Sequence, residues 1–165
     1  MPKKIIWKPP DPGTLITNFD GAVFEDLGVA GIGVVVRNSS GTVMAALSEI
    51  IPCPSLVLAL ETVVARRAVH FLQELNLHDS ILEGDSKTSI SAIKNRCFLH
   101  PNVGHLIKDI MSFIGSFQYF SFSHTLRQGN ALARRARLSF PISVWKESVP
   151  PYIYKVYVSD FLAIK

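Results

Sequence analysis

The sequence predicts an α/β fold in which one mixed β-sheet is covered by helices on both faces. Two observations lead to it. Three β-prone runs, 15–23, 30–37 and 42–51, follow one another across short turn-like segments, the pattern of an antiparallel meander. After residue 51, segments of helical period alternate with short strand-like runs. The resulting order β-β-β-α-β-α-α-β-α needs crossovers that bring the later strands back to the same sheet. A chain of 165 residues with 48% hydrophobic content can bury one sizeable core, and one domain over 14–140 is expected.

Residues 1–13 hold Pro2, Pro9, Pro10, Pro12 and Gly13, which favour extended backbone and cannot sustain a helix, so this stretch reads as a lead-in. The first strand, 15–23, is followed by the turn-like Glu25-Asp26-Leu27-Gly28 and by the β-branched run A-G-I-G-V-V-V-R. Asn38-Ser39-Ser40-Gly41 is a tight polar turn into the third strand, which Pro52 and Pro54 end. Ser55 is then a plausible N-cap for a helix running to about Leu77, with Leu60, Val63, Val64, Ala68, Phe71, Leu72 and Leu75 at helical spacing. His78-Asp79 turns the chain into a short strand, 80–83. A helix over 86–94, capped by Ser86 or Asp85, and an amphipathic helix over 103–114, stopped by Gly115, come next. The run F-Q-Y-F-S-F-S-H, 117–124, alternates aromatic and polar residues and reads as a fifth strand with one wet face. Residues 131–138 suggest a short helix carrying Arg134, Arg135 and Arg137, and 141–165 a C-terminal extension. Its run 152–158 reads equally as an edge strand or as a segment for a partner.

A net charge of +4 and a pI near 9.2 permit a phosphate-bearing partner without requiring one. Cys53 and Cys97 match no zinc-ligand spacing and read as free thiols of a reducing compartment. No apolar run approaches the length that spans a membrane, so a soluble, intracellular protein, monomeric by default, is expected.

Three carboxylates stand where burial would penalise them: Asp20 within the first strand, Glu61 early in the long helix, and Asp85 at the C-terminal end of the fourth strand. Singly, Asp20 reads as a turn residue before Gly21, Glu61 as a solvated helix residue and Asp85 as an N-cap. Together, with strands one and four as neighbours, they can converge. Clustered carboxylates repel unless protons or hard cations neutralise them, and such oxygen ligands suit Mg2+ or Mn2+, hence phosphoryl chemistry.

The ordered set Asn18-Phe19-Asp20-Gly21-Ala22, Gly31 to Asn38, Gly41, Glu61 with Ala65, Glu83-Gly84-Asp85-Ser86, and Phe122-Ser123-His124 with Arg127 and Asn130 resembles the ribonuclease H type 1 family. It is most similar to the reverse-transcriptase-like domains of plant non-LTR retroelements. The resemblance covers roughly 7–140 and implies a three-layer ribonuclease H-like fold, a five-stranded mixed sheet in the order 3-2-1-4-5. It also implies metal-dependent cleavage of the RNA strand of an RNA-DNA hybrid. By the same resemblance Asp20, Glu61 and Asp85 fall on three of four metal-binding acidic positions, and His124 on a catalytic one, although a histidine at a strand end is more often structural. Asn18, Gly21, Ser86, Arg127, Asn130, Arg134 and Arg135 would contact nucleic acid; for the arginines a solvated basic face is an equal reading.

One departure stands out. Where the family places its fourth acidic residue, or a histidine in many plant relatives, this chain reads Asn130-Ala131-Leu132-Ala133-Arg134-Arg135-Ala136. Aligned without a gap, the position is Arg134; aligned on the Ala-Leu-Ala-Arg-Arg-Ala stretch, roughly one helical turn is missing. The resemblance then implies one intact cation site and one weakened, with a catalytically inactive nucleic-acid-binding module as the alternative to a nuclease.

Overall fold

The computed structural model describes residues 11–125 and 142–146. Its elements are β1 (Leu15–Phe24), β2 (Val29–Arg37), β3 (Val43–Pro52), α1 (Val57–Glu74), β4 (Ser80–Gly84), α2 (Lys87–Lys94), α3 (Gly104–Ile114), β5 (Phe120–His124) and β6 (Ile142–Lys146). The strands form one sheet in the order β5-β4-β1-β2-β3-β6. β1, β2 and β3 pair antiparallel, whereas β4 runs parallel to both β1 and β5. The expected 3-2-1-4-5 order is therefore present. A sixth strand, drawn from the segment after 140, adds antiparallel to the outer edge of β3.

Local chemistry explains the boundaries. The β2–β3 turn is built on Asn38, whose side-chain carbonyl accepts from the backbone N–H groups of Ser40 and Thr42, each at 3.0 Å. At the base of this hairpin the β2–β3 register shifts between Val36 and Arg37, with Met44 of β3 the extra residue. α1 starts one residue later than a Ser55 cap implies, because Leu56 holds the N-cap position and makes no side-chain cap bond. It stops at Glu74, short of Leu77. Asn76 takes φ 54° while Leu77 N–H bonds the Leu72 carbonyl and Asn76 N–H that of Gln73, the Schellman pattern. Ser86 caps α2 as expected, its hydroxyl accepting from Ser89 N–H at 3.3 Å. β5 begins only at Phe120. Phe117 is spent in the turn after α3, where its N–H bonds the Ile114 carbonyl.

The main core lies on one face of the sheet. There Phe19 of β1, Ile32, Val34 and Val36 of β2, and Leu82 of β4 are buried together with Leu60, Val64, Ala68, Val69, Phe71 and Leu72 of α1. Ile107, Ile110 and Ile114 of α3 belong to the same cluster. β1 is buried at every residue from Ile16 to Asp20, so both its faces are covered. The helix expected over 131–138 and the 152–158 run lie outside the described residues. Among the described residues no helix is long and apolar enough to cross a membrane.

Candidate metal centre

The centre forms where two neighbouring strands part. β1 pairs with β4 from Leu15↔Ser80 to Phe19↔Gly84, and there the parallel ladder ends. β1 continues to Phe24 against β2, while β4 gives way to the start of α2. Asp20 and Asp85 are the first residues beyond the last pair, one on each strand. Such a divergence at the carboxyl ends of parallel strands is where open α/β sheets hold ligands.

Two glycines make the approach of the third group feasible. A Cβ on Gly21 would lie 3.0 Å from Val64 Cγ2 and 3.2 Å from Leu60 Cγ, so its absence lets α1 settle onto β1. Glu61 follows Leu60 and is thereby delivered beside Asp20. On the other strand, a Cβ on Gly84 would fall 2.6 Å from Phe19 Cε2, closer than any side chain tolerates. The Phe19 ring fills that space and supports the Gly84 backbone that leads into Asp85.

Asp20, Glu61 and Asp85 each offer a carboxylate oxygen, and these three atoms lie within 4.8 Å of one another. Asp20 is 2% exposed and Glu61 8%, while Asp85 is half-buried and forms the open side. The Gly21 N–H donates to Asp20 Oδ1 at 2.8 Å. Glu61 Oε2 is buried with no hydrogen-bond partner among the described residues. Burial, reinforced by the negative charges of Asp20 and then Asp85, pushes the Glu61 carboxyl up to about 8. A buried acceptor without a donor, in a cluster of repelling carboxylates, is satisfied by a bound cation.

The remaining residues singled out in the sequence fall in several places. Ser86 caps α2 next to Asp85. His124, exposed at the end of β5, holds the Asp85 backbone carbonyl at 3.0 Å from Nε2; a carbonyl only accepts, so Nε2 carries the proton. Gly21 packs against α1. Asn18 is completely buried and both ends of its amide are engaged: Arg37 Nη2 donates to its Oδ1 at 2.6 Å, and its Nδ2 donates to Glu83 Oε2 at 2.8 Å. Its side chain is thus an internal link between strands, not a group at the surface. Burial raises the Glu83 carboxyl, opposed by the Asn18 hydrogen bond and the Arg37 charge. This buried link was not anticipated; the signal was present as opposite charges, Arg37 and Glu83, closing two otherwise β-prone runs. Arg127, Asn130, Arg134 and Arg135 lie outside the described residues.

The family described as reverse transcriptase-like matches residues 18–136, most of the chain and all three carboxylates. The chain belongs to this ribonuclease H-like family. Solved structures agree in fold. RNase H1 from Halobacterium salinarum superposes with a TM-score of 0.66 at 20% identity, over 75% of this chain and 97% of that one. The N-terminal RNase H domain of a Mycobacterium tuberculosis protein gives 0.64 at 19% identity, over 74% and 92%. LC11-RNase H1, isolated from compost and solved with an RNA/DNA hybrid, gives 0.59 at 22% identity, over 73% and 90%. No curated protein matches the sequence. Within this reverse transcriptase-like frame, the oxygen-only donor set of Asp20, Glu61 and Asp85 suits a divalent cation.

Proposed function

We propose that this protein is a metal-dependent nuclease of the ribonuclease H type, hydrolysing the RNA strand of RNA-DNA hybrids. The observation that carries the reading is the convergence of three carboxylates from β1, α1 and the end of β4 within 4.8 Å, with the buried Glu61 Oε2 left without a hydrogen-bond donor among the described residues. Asp20, Glu61 and Asp85 would hold Mg2+ or Mn2+, which supplies Lewis-acid stabilisation for in-line displacement at a phosphodiester. The chain's own groups do the rest. Asp20 is held by the Gly21 N–H, which donates to its Oδ1 at 2.8 Å. Glu61, whose carboxyl is raised first by burial and then by the Asp20 and Asp85 charges, would hold a cation in its ionised form, giving up its proton to do so. His124, tethered through Nε2–H to the Asp85 carbonyl, holds the backbone that presents Asp85.

A second reading is favoured by the sequence after Asn130, where the fourth acidic position is either Arg134 or missing with roughly one helical turn. A guanidinium near the cluster competes with a cation for the same carboxylates, and a module that binds nucleic acid without cutting it would result. One experiment separates the two. A labelled RNA-DNA hybrid is incubated with wild type and with Asp20→Asn, in Mg2+ and then in Mn2+, beside single-stranded RNA and duplex DNA. Hybrid-specific cleavage by wild type alone supports the nuclease. Cleavage no greater than that of Asp20→Asn sinks it, and retention of hybrid without cleavage supports the binding module.

A further inference from the structure

We infer that Arg37, Asn18 and Glu83 form a positioning bridge that sets the spacing of Asp20 and Asp85, and through it the affinity of the site for a divalent cation. The inference rests on the metal-centre reading above. The bridge crosses three strands: Arg37 of β2 donates to Asn18 of β1 at 2.6 Å, and Asn18 donates to Glu83 of β4 at 2.8 Å. Asn18 and Glu83 are register partners in the parallel ladder, so their side chains leave the same face. Strand residues two apart share a face. Asp20 lies two residues beyond Asn18, and Asp85 two beyond Glu83. Asp20, within β1, shares the face of Asn18; Asp85 lies just past the end of β4, so the bridge ties together the strand ends from which both aspartates are presented.

That tie matters because of where the backbone pairing stops. Above Phe19↔Gly84 no ladder bond joins β1 to β4, yet two carboxylates that repel each other must be kept within ligand distance of a common point. Just below the last ladder pair, the Asn18–Glu83 link adds a side-chain restraint on the width of the fork. Its design fits this purpose. Asn18 is completely buried and Arg37 only 2% exposed, and the guanidinium is a permanent cation that offsets the Glu83 charge at any pH the fold survives. Arg37 sits opposite Ile16 in the unbroken β1–β2 ladder, and Ile16 shares a face with Asn18, so regular alternation brings this arginine to Asn18. Stability alone gives little reason to bury such a set, since well-packed apolar replacements of buried ion pairs are often neutral or stabilising. Geometry at the neighbouring strand ends gives one.

The test uses the full chain and Mn2+, with free Mn2+ measured by electron paramagnetic resonance during titration and folding checked by urea denaturation in chelator. Asn18→Leu and Glu83→Leu break the bridge, the double variant tests whether the two act as one unit, and Glu83→Gln keeps an acceptor for Asn18 Nδ2. Residues that orient ligands from behind are worth about 10- to 100-fold in metal affinity. Each Leu variant should therefore bind Mn2+ at least about tenfold more weakly, with the double variant no weaker than either single one. Glu83→Gln should stay within about threefold of wild type. If the Leu variants do not fold, Asn18→Ser and Glu83→Ala carry the same comparison. Wild-type affinity in the folded bridge variants would overturn the inference while leaving the metal centre standing. A Glu83→Gln loss as large as that of Glu83→Leu would also overturn it, assigning the effect to charge. Absence of Mn2+ binding by wild type would overturn both.

Discussion

The position of Glu61 predicts an inverted dependence of stability on pH in the cation-free protein. Its carboxyl is raised from 4.5 to about 8 by burial and by the neighbouring Asp20 and Asp85 charges. Above pH 4.5 the unfolded chain gives up this proton while the folded chain keeps it, so the native state binds more protons and loses stability as pH rises. The loss runs at roughly 1.4 kcal/mol per pH unit and ends near pH 8, where both states are ionised. Over the whole window it amounts to something on the order of 5 kcal/mol, comparable with the total stability of a small domain. Glu61→Gln removes the titration and keeps the shape. Urea denaturation of wild type and Glu61→Gln in chelator, at intervals between pH 5 and 9, isolates the effect as the difference between the two proteins. The difference should grow in favour of the glutamine variant up to about pH 8 and then level off. Cations should reverse it, since binding stabilises the ionised form and the apparent affinity for Mg2+ should climb with pH over the same range. A difference that stays flat from pH 5 to pH 8.5 would refute the reasoning, because Glu61 would then sit in an ordinary, solvated environment.

Other perturbations bear on the same arrangement. Asp85→Asn removes one of the charges acting on Glu61 and should raise the melting temperature in chelator at pH 8 while abolishing the stabilisation that Mg2+ gives to wild type, both read by thermal denaturation. Gly84→Ala would place a methyl group 2.6 Å from the Phe19 ring and should cost about 1–3 kcal/mol in urea denaturation, with Mn2+ binding weakened as the backbone leading into Asp85 shifts. Gly21→Ala meets softer neighbours, Val64 Cγ2 at 3.0 Å and Leu60 Cγ at 3.2 Å, and should cost less than Gly84→Ala. Removing β6 exposes the edge of β3 from Ala45 to Glu49; light scattering should then report concentration-dependent association that the full chain lacks.

The strands, the helices and their order were legible in the sequence because each follows from a local pattern. β-branched runs, the Asn38–Gly41 turn, the Ser86 cap and the helical period of Leu60 to Leu72 act over a few residues and need no partner. The helix ends were less legible: whether α1 stops at Glu74 or Leu77 depends on Asn76 accepting a left-handed backbone, which composition does not announce. The strand at Ile142–Lys146 was missed for a related reason, since an edge strand exists only by virtue of β3 being there to pair with it.

For the site the division is sharper. Asp20, Glu61 and Asp85 could be picked out in the sequence as charges in poor surroundings, and their spacing along the chain already suggested one cluster. Only the tertiary structure decided that the cluster is tight, that Asp20 and Glu61 are both buried in it and that Asn18 lies inside the protein, tied to Arg37 and Glu83. The physical reason is that desolvation and mutual repulsion depend on distances between elements far apart in sequence. Those distances are set by where the β1–β4 ladder ends and how closely Gly21 lets α1 approach.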